Sequence, residues 1–162
     1  MSSKPRKIVS SIAVVLLAMP LLATAEDGKV YPATMCQGTV GNPTNLSYDG
    51  TKLVNTSTTY SAVVVCPMIK DDVFSGAGAN EAYMRYYKAN STGFISNLYS
   101  FSAFGTASFT QFKSDFGGAG YKTLSYTPIS SYSQGYYQFV VVIPPGTSTA
   151  KSSVISYRLD EN

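Results

Sequence analysis

The feature that most constrains the fold is a succession of short runs rich in Val, Tyr, Phe and Thr, set apart by Gly, Pro and Asp-Gly signals. Branched and aromatic side chains pack well on a pleated surface, so runs of this kind between turn residues predict strands. Residues 30–34 open the series, and Pro32 places that strand at a sheet edge because proline cannot donate to a ladder. Residues 45–48 and 51–55 flank Asp49-Gly50, the signature of a two-residue hairpin. Residues 58–68 include Val63-Val64-Val65-Cys66, an unbroken apolar run that predicts burial on both faces, or on one face plus a disulfide.

Residues 82–88 predict a strand with Tyr83, Arg85 and Tyr87 on one face and Met84 and Tyr86 on the other, with a short helix as the alternative. Strands are further predicted at 94–101, 108–112, 122–126, 136–143 and 152–159, and a loop at 71–80. About eight short strands punctuated by turns make this an all-β chain, a two-sheet antiparallel sandwich.

The amino terminus adds an address. Lys4, Arg6 and Lys7 precede an apolar stretch over 8–22, which ends in Ala23-Thr24-Ala25 before Glu26-Asp27. A positive segment, an apolar segment and a small-x-small site predict a signal peptide over 1–25, cleaved between Ala25 and Glu26. The stretch falls short of the ~20 residues a spanning helix needs, and Pro20 breaks it. The mature chain, 26–162, is then a single β-sandwich domain, secreted or periplasmic, with no membrane span. Losing Lys4, Arg6 and Lys7 takes the chain from 12 basic and 9 acidic residues to equal numbers. No basic excess remains to attract nucleic acid.

Cys36 and Cys66 are the two cysteines. An even count in an exported chain predicts a disulfide, and closing the loop 36–66 contributes about 3.7 kcal/mol on the chain-entropy account. Histidine is absent, which removes the usual general base and zinc ligand and excludes Ser-His-Asp and Cys-His hydrolases as normally built. No phosphate- or dinucleotide-binding glycine motif is present, so no cofactor is expected. The carboxylates show no spacing that marks a catalytic pair. Asp49 suits the hairpin, and Asp71-Asp72 lacks the spacing of a calcium loop.

Tyrosine is the suggestive surplus. Tyr86-Tyr87 and Tyr136-Tyr137 each put one ring on either face of a strand, so half become core and half face outward. Tyr83, Tyr87 and Tyr137 are the candidate surface-binding aromatics, able to stack on sugars or meet a partner. Strand propensity alone also accounts for much of the tyrosine content. The triplets that begin at Asn45, Asn55 and Asn90 match the glycosylation pattern, as expected by chance in a chain rich in Ser and Thr.

Cys36-Gln37-Gly38, Tyr48-Asp49-Gly50, Asn55-Thr56-Ser57, Val65-Cys66-Pro67 and Asp71 together carry a resemblance. The segment resembles a group of small exported bacterial proteins that share an early Cys-x-Gly, a central Asn and a Val-Cys-Pro ending the second strand. Members often carry a second cysteine pair in the later half, whereas residues 94–101 here have none. The resemblance implies a disulfide-tied β domain and supplies no activity and no site residues.

The function expected is that of a non-catalytic exported β-sandwich with a binding or structural role, its partner a glycan or another exported protein. One alternative is a pilus or fimbrial-type subunit. Such subunits end in a Gly-containing strand with a penultimate Tyr, and Tyr157-Arg158-Leu159-Asp160-Glu161-Asn162 departs from that. The other is a carboxylate-dependent glycan-acting enzyme, which needs two acids facing one cleft.

Overall fold

Side-chain alternation sorts this chain into layers. In a strand, successive side chains point to opposite faces, so each apolar run must turn one face to a core. A computed structural model describes residues 27–39, 43–70, 78–127 and 129–161. The segment 1–25 predicted as a signal peptide, its predicted cleavage site at Ala25 and Glu26, and Asp71-Asp72 lie outside the described residues. Eleven strands are present among the described residues: β1 (Asp27–Pro32), β2 (Gln37–Gly38), β3 (Leu46–Asp49), β4 (Lys52–Asn55), β5 (Ala62–Met68), β6 (Ala79–Lys88), β7 (Phe94–Phe101), β8 (Ala107–Asp115), β9 (Gly120–Tyr126), β10 (Tyr136–Ile143) and β11 (Ser153–Glu161). There is no α-helix among the described residues.

The first sheet runs β3-β4-β11-β6-β9, with β1 also paired to β11. The second runs β2-β5-β10-β7-β8. Every pairing between strands is antiparallel. From β4 onward the chain builds β4-β11-β6-β9 against β5-β10-β7-β8, the strand order of a jelly-roll sandwich. The expected two-sheet sandwich is therefore present.

The core between the sheets is aromatic. Tyr86 of the first sheet stacks on Phe94 of the second with ring centroids 3.8 Å apart. Phe139 meets Tyr126 and Tyr157 at 5.1 and 6.1 Å. A buried phenol needs an acceptor, and these find theirs across the sandwich. Tyr126 on β9 donates to the Ser96 carbonyl on β7 at 3.1 Å, and Tyr157 on β11 to the Pro67 carbonyl on β5 at 2.9 Å. Much of the tyrosine surplus thus fills the core while its hydroxyls bridge the two sheets. The Cys36–Cys66 disulfide is formed and fully buried, tying the segment before β2 to β5.

Two sequence expectations change in detail, and a third resolves to one of its two alternatives. Asp49 pairs with Lys52, so the hairpin loop is Gly50-Thr51 rather than Asp49-Gly50. Gly50 has φ +59° and Thr51 a negative φ, the signs of a II′ turn with glycine first. The run 63–66 takes the second of its two readings, one face plus the disulfide: Val64 and Cys66 are sealed, while Val63 is 40% exposed. That strand also starts later than residue 58. Asn55 Oδ1 accepts from the Ser57 N–H, and Ser57 Oγ from the Thr59 and Tyr60 N–H groups, so side chains hold 57–60 in a turn.

Candidate functional site

The outer face of the first sheet gathers aromatic rings and hydrogen-bond donors. On β6, alternation turns Ala82, Met84, Tyr86 and Lys88 into the core and leaves Tyr83, Arg85 and Tyr87 outside. Antiparallel register then sets their neighbours. Tyr87 lies opposite Tyr121 of β9, Arg85 opposite Thr123 and Tyr83 opposite Ser125. On the other side, Arg85 lies opposite Ser156 of β11, Tyr83 opposite Arg158 and Glu81 opposite Asp160.

Tyr87 and Tyr121 rings are 4.9 Å apart and tilted by 56°. Tyr121 is 71% exposed, so its ring is held by a rigid strand yet open to a ligand. The Arg85 guanidinium sits 4.6 Å from the centroid of the Tyr83 ring, and that of Arg158 sits 5.9 Å from it. Arg158 is anchored by a 2.9 Å bond to Asp160 Oδ2. Gly28 of β1 makes room for it, since a Cβ there would collide with the guanidinium.

The register shifts on β11 between Val154 and Ser156, inserting Ile155 as a bulge. Arg85, Tyr121, Thr123 and Ile155 edge a shallow hollow of about 200 Å³, lined also by Tyr86 and Lys122.

The inner ends of Tyr86 and Lys122 meet a charged cluster. Asp115, at the end of β8, bonds the Tyr86 hydroxyl at 2.9 Å, the Gly117 N–H at 2.8 Å, the Lys122 ammonium at 2.9 Å and the fully buried Lys88 ammonium at 3.2 Å. Burial alone would raise the Asp115 carboxyl; the bonds from Lys122, Gly117, Tyr86 and Lys88 outweigh it and hold the group well below the usual carboxylate range. Burial, and then the bond to Asp115, push the Tyr86 phenol far above its ordinary value. The cluster fixes the strands behind the hollow, and Asp115 is committed to it.

Of the three tyrosines singled out from sequence, Tyr83 and Tyr87 stand on this face. Tyr137 does not: it is fully buried, pairs across from Met68, and shares its face with Phe139, Val141 and Ile143. Tyr136 is the outward ring of that pair, at 40% exposure. Gln138 marks the outer face of β10, and the bulkier Phe139–Ile143 face goes to the core. Tyr136 stacks on Phe101, and Phe101 on Tyr99, at 5.2 and 5.7 Å, so those rings cover one another. Tyr121 was missed. Its only local signal is the alternation of Tyr121, Thr123 and Ser125 against Lys122, Leu124 and Tyr126. No helix among the described residues is long and apolar enough to cross a membrane.

No protein-family model matches the sequence, and no curated protein matches it. Solved structures do align with this chain. A family two carbohydrate esterase from Cellvibrio japonicus aligns with a TM-score of 0.51 at 8% identity, over 85% of this chain and 34% of the esterase. This chain thus spans about a third of that enzyme. The CBM36-1 domain of a multidomain xylanase from the hindgut metagenome of Trinervitermes trinervoides aligns with a TM-score of 0.49 at 8% identity, over 82% of this chain and 96% of that one. A family 6 carbohydrate-binding module aligns at 0.48 and 16% identity, over 83% and 94%. At these identities the likeness to the esterase is one of fold.

Proposed function

We propose that this chain is an exported, non-catalytic glycan-binding domain that lays a sugar chain along the outer face of β6 and β9. The observation that carries the reading is the exposed Tyr121–Tyr87 ring pair beside Arg85, Thr123 and Tyr83 on two adjacent strands. A pyranose offers an apolar C–H face to a ring and hydroxyls at its rim to donors, and this surface supplies both in alternation. The rings and donors need no rearrangement, because the sheet register positions them before any ligand arrives. The buried disulfide agrees with work outside the cytoplasm, as does the signal peptide that the sequence predicts over 1–25. The esterase that shares the fold is named for carbohydrate, which agrees with the ligand class proposed.

The fimbrial reading gains nothing from the fold. The chain's own β11 lies between β4 and β6 in the first sheet. The test is binding of the purified chain to a diverse glycan panel by affinity electrophoresis and calorimetry. Retardation by at least one polysaccharide is expected, with Tyr121→Ala weakening it roughly tenfold, the scale of ring stacking with desolvation. Absence of binding across the panel, or full binding by Tyr121→Ala, would refute the proposal.

A further inference from the structure

Resting on that glycan-binding reading, we infer that the face selects acidic polysaccharides, with Arg85 receiving the carboxylate of a uronic acid unit. The cations near the hollow differ in how they are neutralised. Lys88 and Lys122 share Asp115, and Arg158 takes Asp160. Arg85 is exposed and has no hydrogen-bond or ion-pair partner among the described residues; its guanidinium rests over the Tyr83 ring. It is the residual positive charge at the edge of the hollow.

The arrangement favours a planar anion. A guanidinium stacked on an aromatic ring keeps its N–H edges free, and the fork matches a carboxylate in two parallel bonds. Stacking on Tyr83 also restricts Arg85 in advance, so less freedom is lost when the anion arrives. Register places the Thr123 and Ser156 positions on either side of Arg85 for the neighbouring sugar hydroxyls. The Tyr121 and Tyr87 rings lie one register step further along β6 and β9 for the next unit. The acids that β6 and β11 place on this face are at its other end. Glu81 and Asp160 pair two register steps from Arg85, and Arg158 offsets Asp160. A sugar carboxylate at Arg85 is thus kept apart from like charge.

The test compares polygalacturonate, its fully methyl-esterified form, a sulfated galactan and a neutral galactan, each titrated into the chain by calorimetry at low and high salt. Polygalacturonate is expected to bind roughly tenfold or more tightly than the ester, with the gap shrinking in salt. Arg85→Gln should bring the acid-to-ester ratio close to one, and Arg85→Lys, which keeps the charge without the fork, should restore it only in part. A thermal melt of each variant checks that the fold is kept. Equal binding of acid and ester by the wild type overturns this inference and leaves glycan binding standing. So does a ratio that Arg85→Gln leaves intact. Sulfated galactan binding as tightly as polygalacturonate overturns the carboxylate assignment. Binding to none of the four overturns this inference, and failure across the wider panel overturns glycan binding as well.

Discussion

The Arg85 guanidinium lies 4.6 Å from the centroid of the Tyr83 ring, two residues away on the same face of β6. This pair stands in the open, so its contribution to stability is small, and under the proposed function its loss falls on binding. Tyr83→Ala is expected to cost about 1 kcal/mol of folding stability, the scale of an exposed cation–ring contact. Tyr121→Ala is expected to change stability by less than about 0.5 kcal/mol, because that ring is largely solvent-exposed. Urea denaturation gives both numbers, and calorimetry on the same samples should show glycan affinity falling in each. A large loss of stability in Tyr121→Ala would mark its ring as structural instead.

Lys88 and Asp115 behave in the opposite way. Lys88 is fully buried with its ammonium 3.2 Å from Asp115 Oδ2. Removing the carboxylate strands that charge, so Asp115→Asn is expected to destabilise the fold by about 3–5 kcal/mol at pH 7. Replacing both residues with apolar side chains of similar volume should recover most of the loss. The two denaturation midpoints decide the matter.

The same carboxylate sets the acid limit. Asp115 has its folded-state value depressed below 3.8, so its stabilising contribution is whole above 3.8 and drains away as pH falls from there through the folded value. The stability difference between wild type and Asp115→Asn should therefore persist down to pH 4 and narrow only below it. Denaturation curves at pH 7, 4 and 2.5 test the direction.

The buried phenols set the alkaline limit. Burial raises Tyr86, Tyr126, Tyr137 and Tyr157, and pushes Tyr126 up to about 12 against the opposing bond to Ser96. Raised folded values mean their contribution is intact below pH 10 and is lost as pH climbs towards and through 12. Phenolate absorbance should show a late phase near pH 12 that coincides with loss of the β-sheet signal. A single phase near pH 10 with the fold intact would contradict it.

Asn55 is a buried hub. Its Nδ2 lies 2.9, 3.0 and 3.1 Å from the carbonyls of Tyr60, Ile143 and Pro144. Asn55→Ala leaves those acceptors and the Ser57 N–H without their partner, and is expected to cost about 3 kcal/mol. The side chain is sealed, so the Asn55-Thr56-Ser57 triplet should stay unmodified when the chain is made in a glycosylating host. Intact-mass spectrometry and a thermal melt check the two expectations.

Much of the fold was legible because strand alternation and turn chemistry are local. Phe94–Phe101 and Tyr136–Ile143 coincide with the runs read from sequence, and the two faces of 82–88 were assigned correctly. The hairpin was placed one residue early because Asp-Gly and Gly-Thr both suit a two-residue loop, and the choice depends on which side chains reach the core. Leu53 is sealed while Lys52 and Val54 are not, and that parity makes Asp49 pair with Lys52. The same ambiguity sent Tyr137 to the wrong face. A strand with apolar residues at both parities carries no local mark of which one is inward.

Sequence alone determined that this chain makes short antiparallel strands, that Cys36 and Cys66 pair, and that Tyr83, Arg85 and Tyr87 share one surface. These follow from a two-residue period and a cysteine count, which need no knowledge of neighbours. Only the tertiary structure decided that Tyr121 stands beside Tyr87, that Arg158 reaches Tyr83, and that Asp115 holds the charges of Lys88 and Lys122. Apart from Lys122, which follows Asp115 by seven residues, those partners lie on strands far apart in sequence, and which strands become neighbours is settled by the burial of the whole aromatic core.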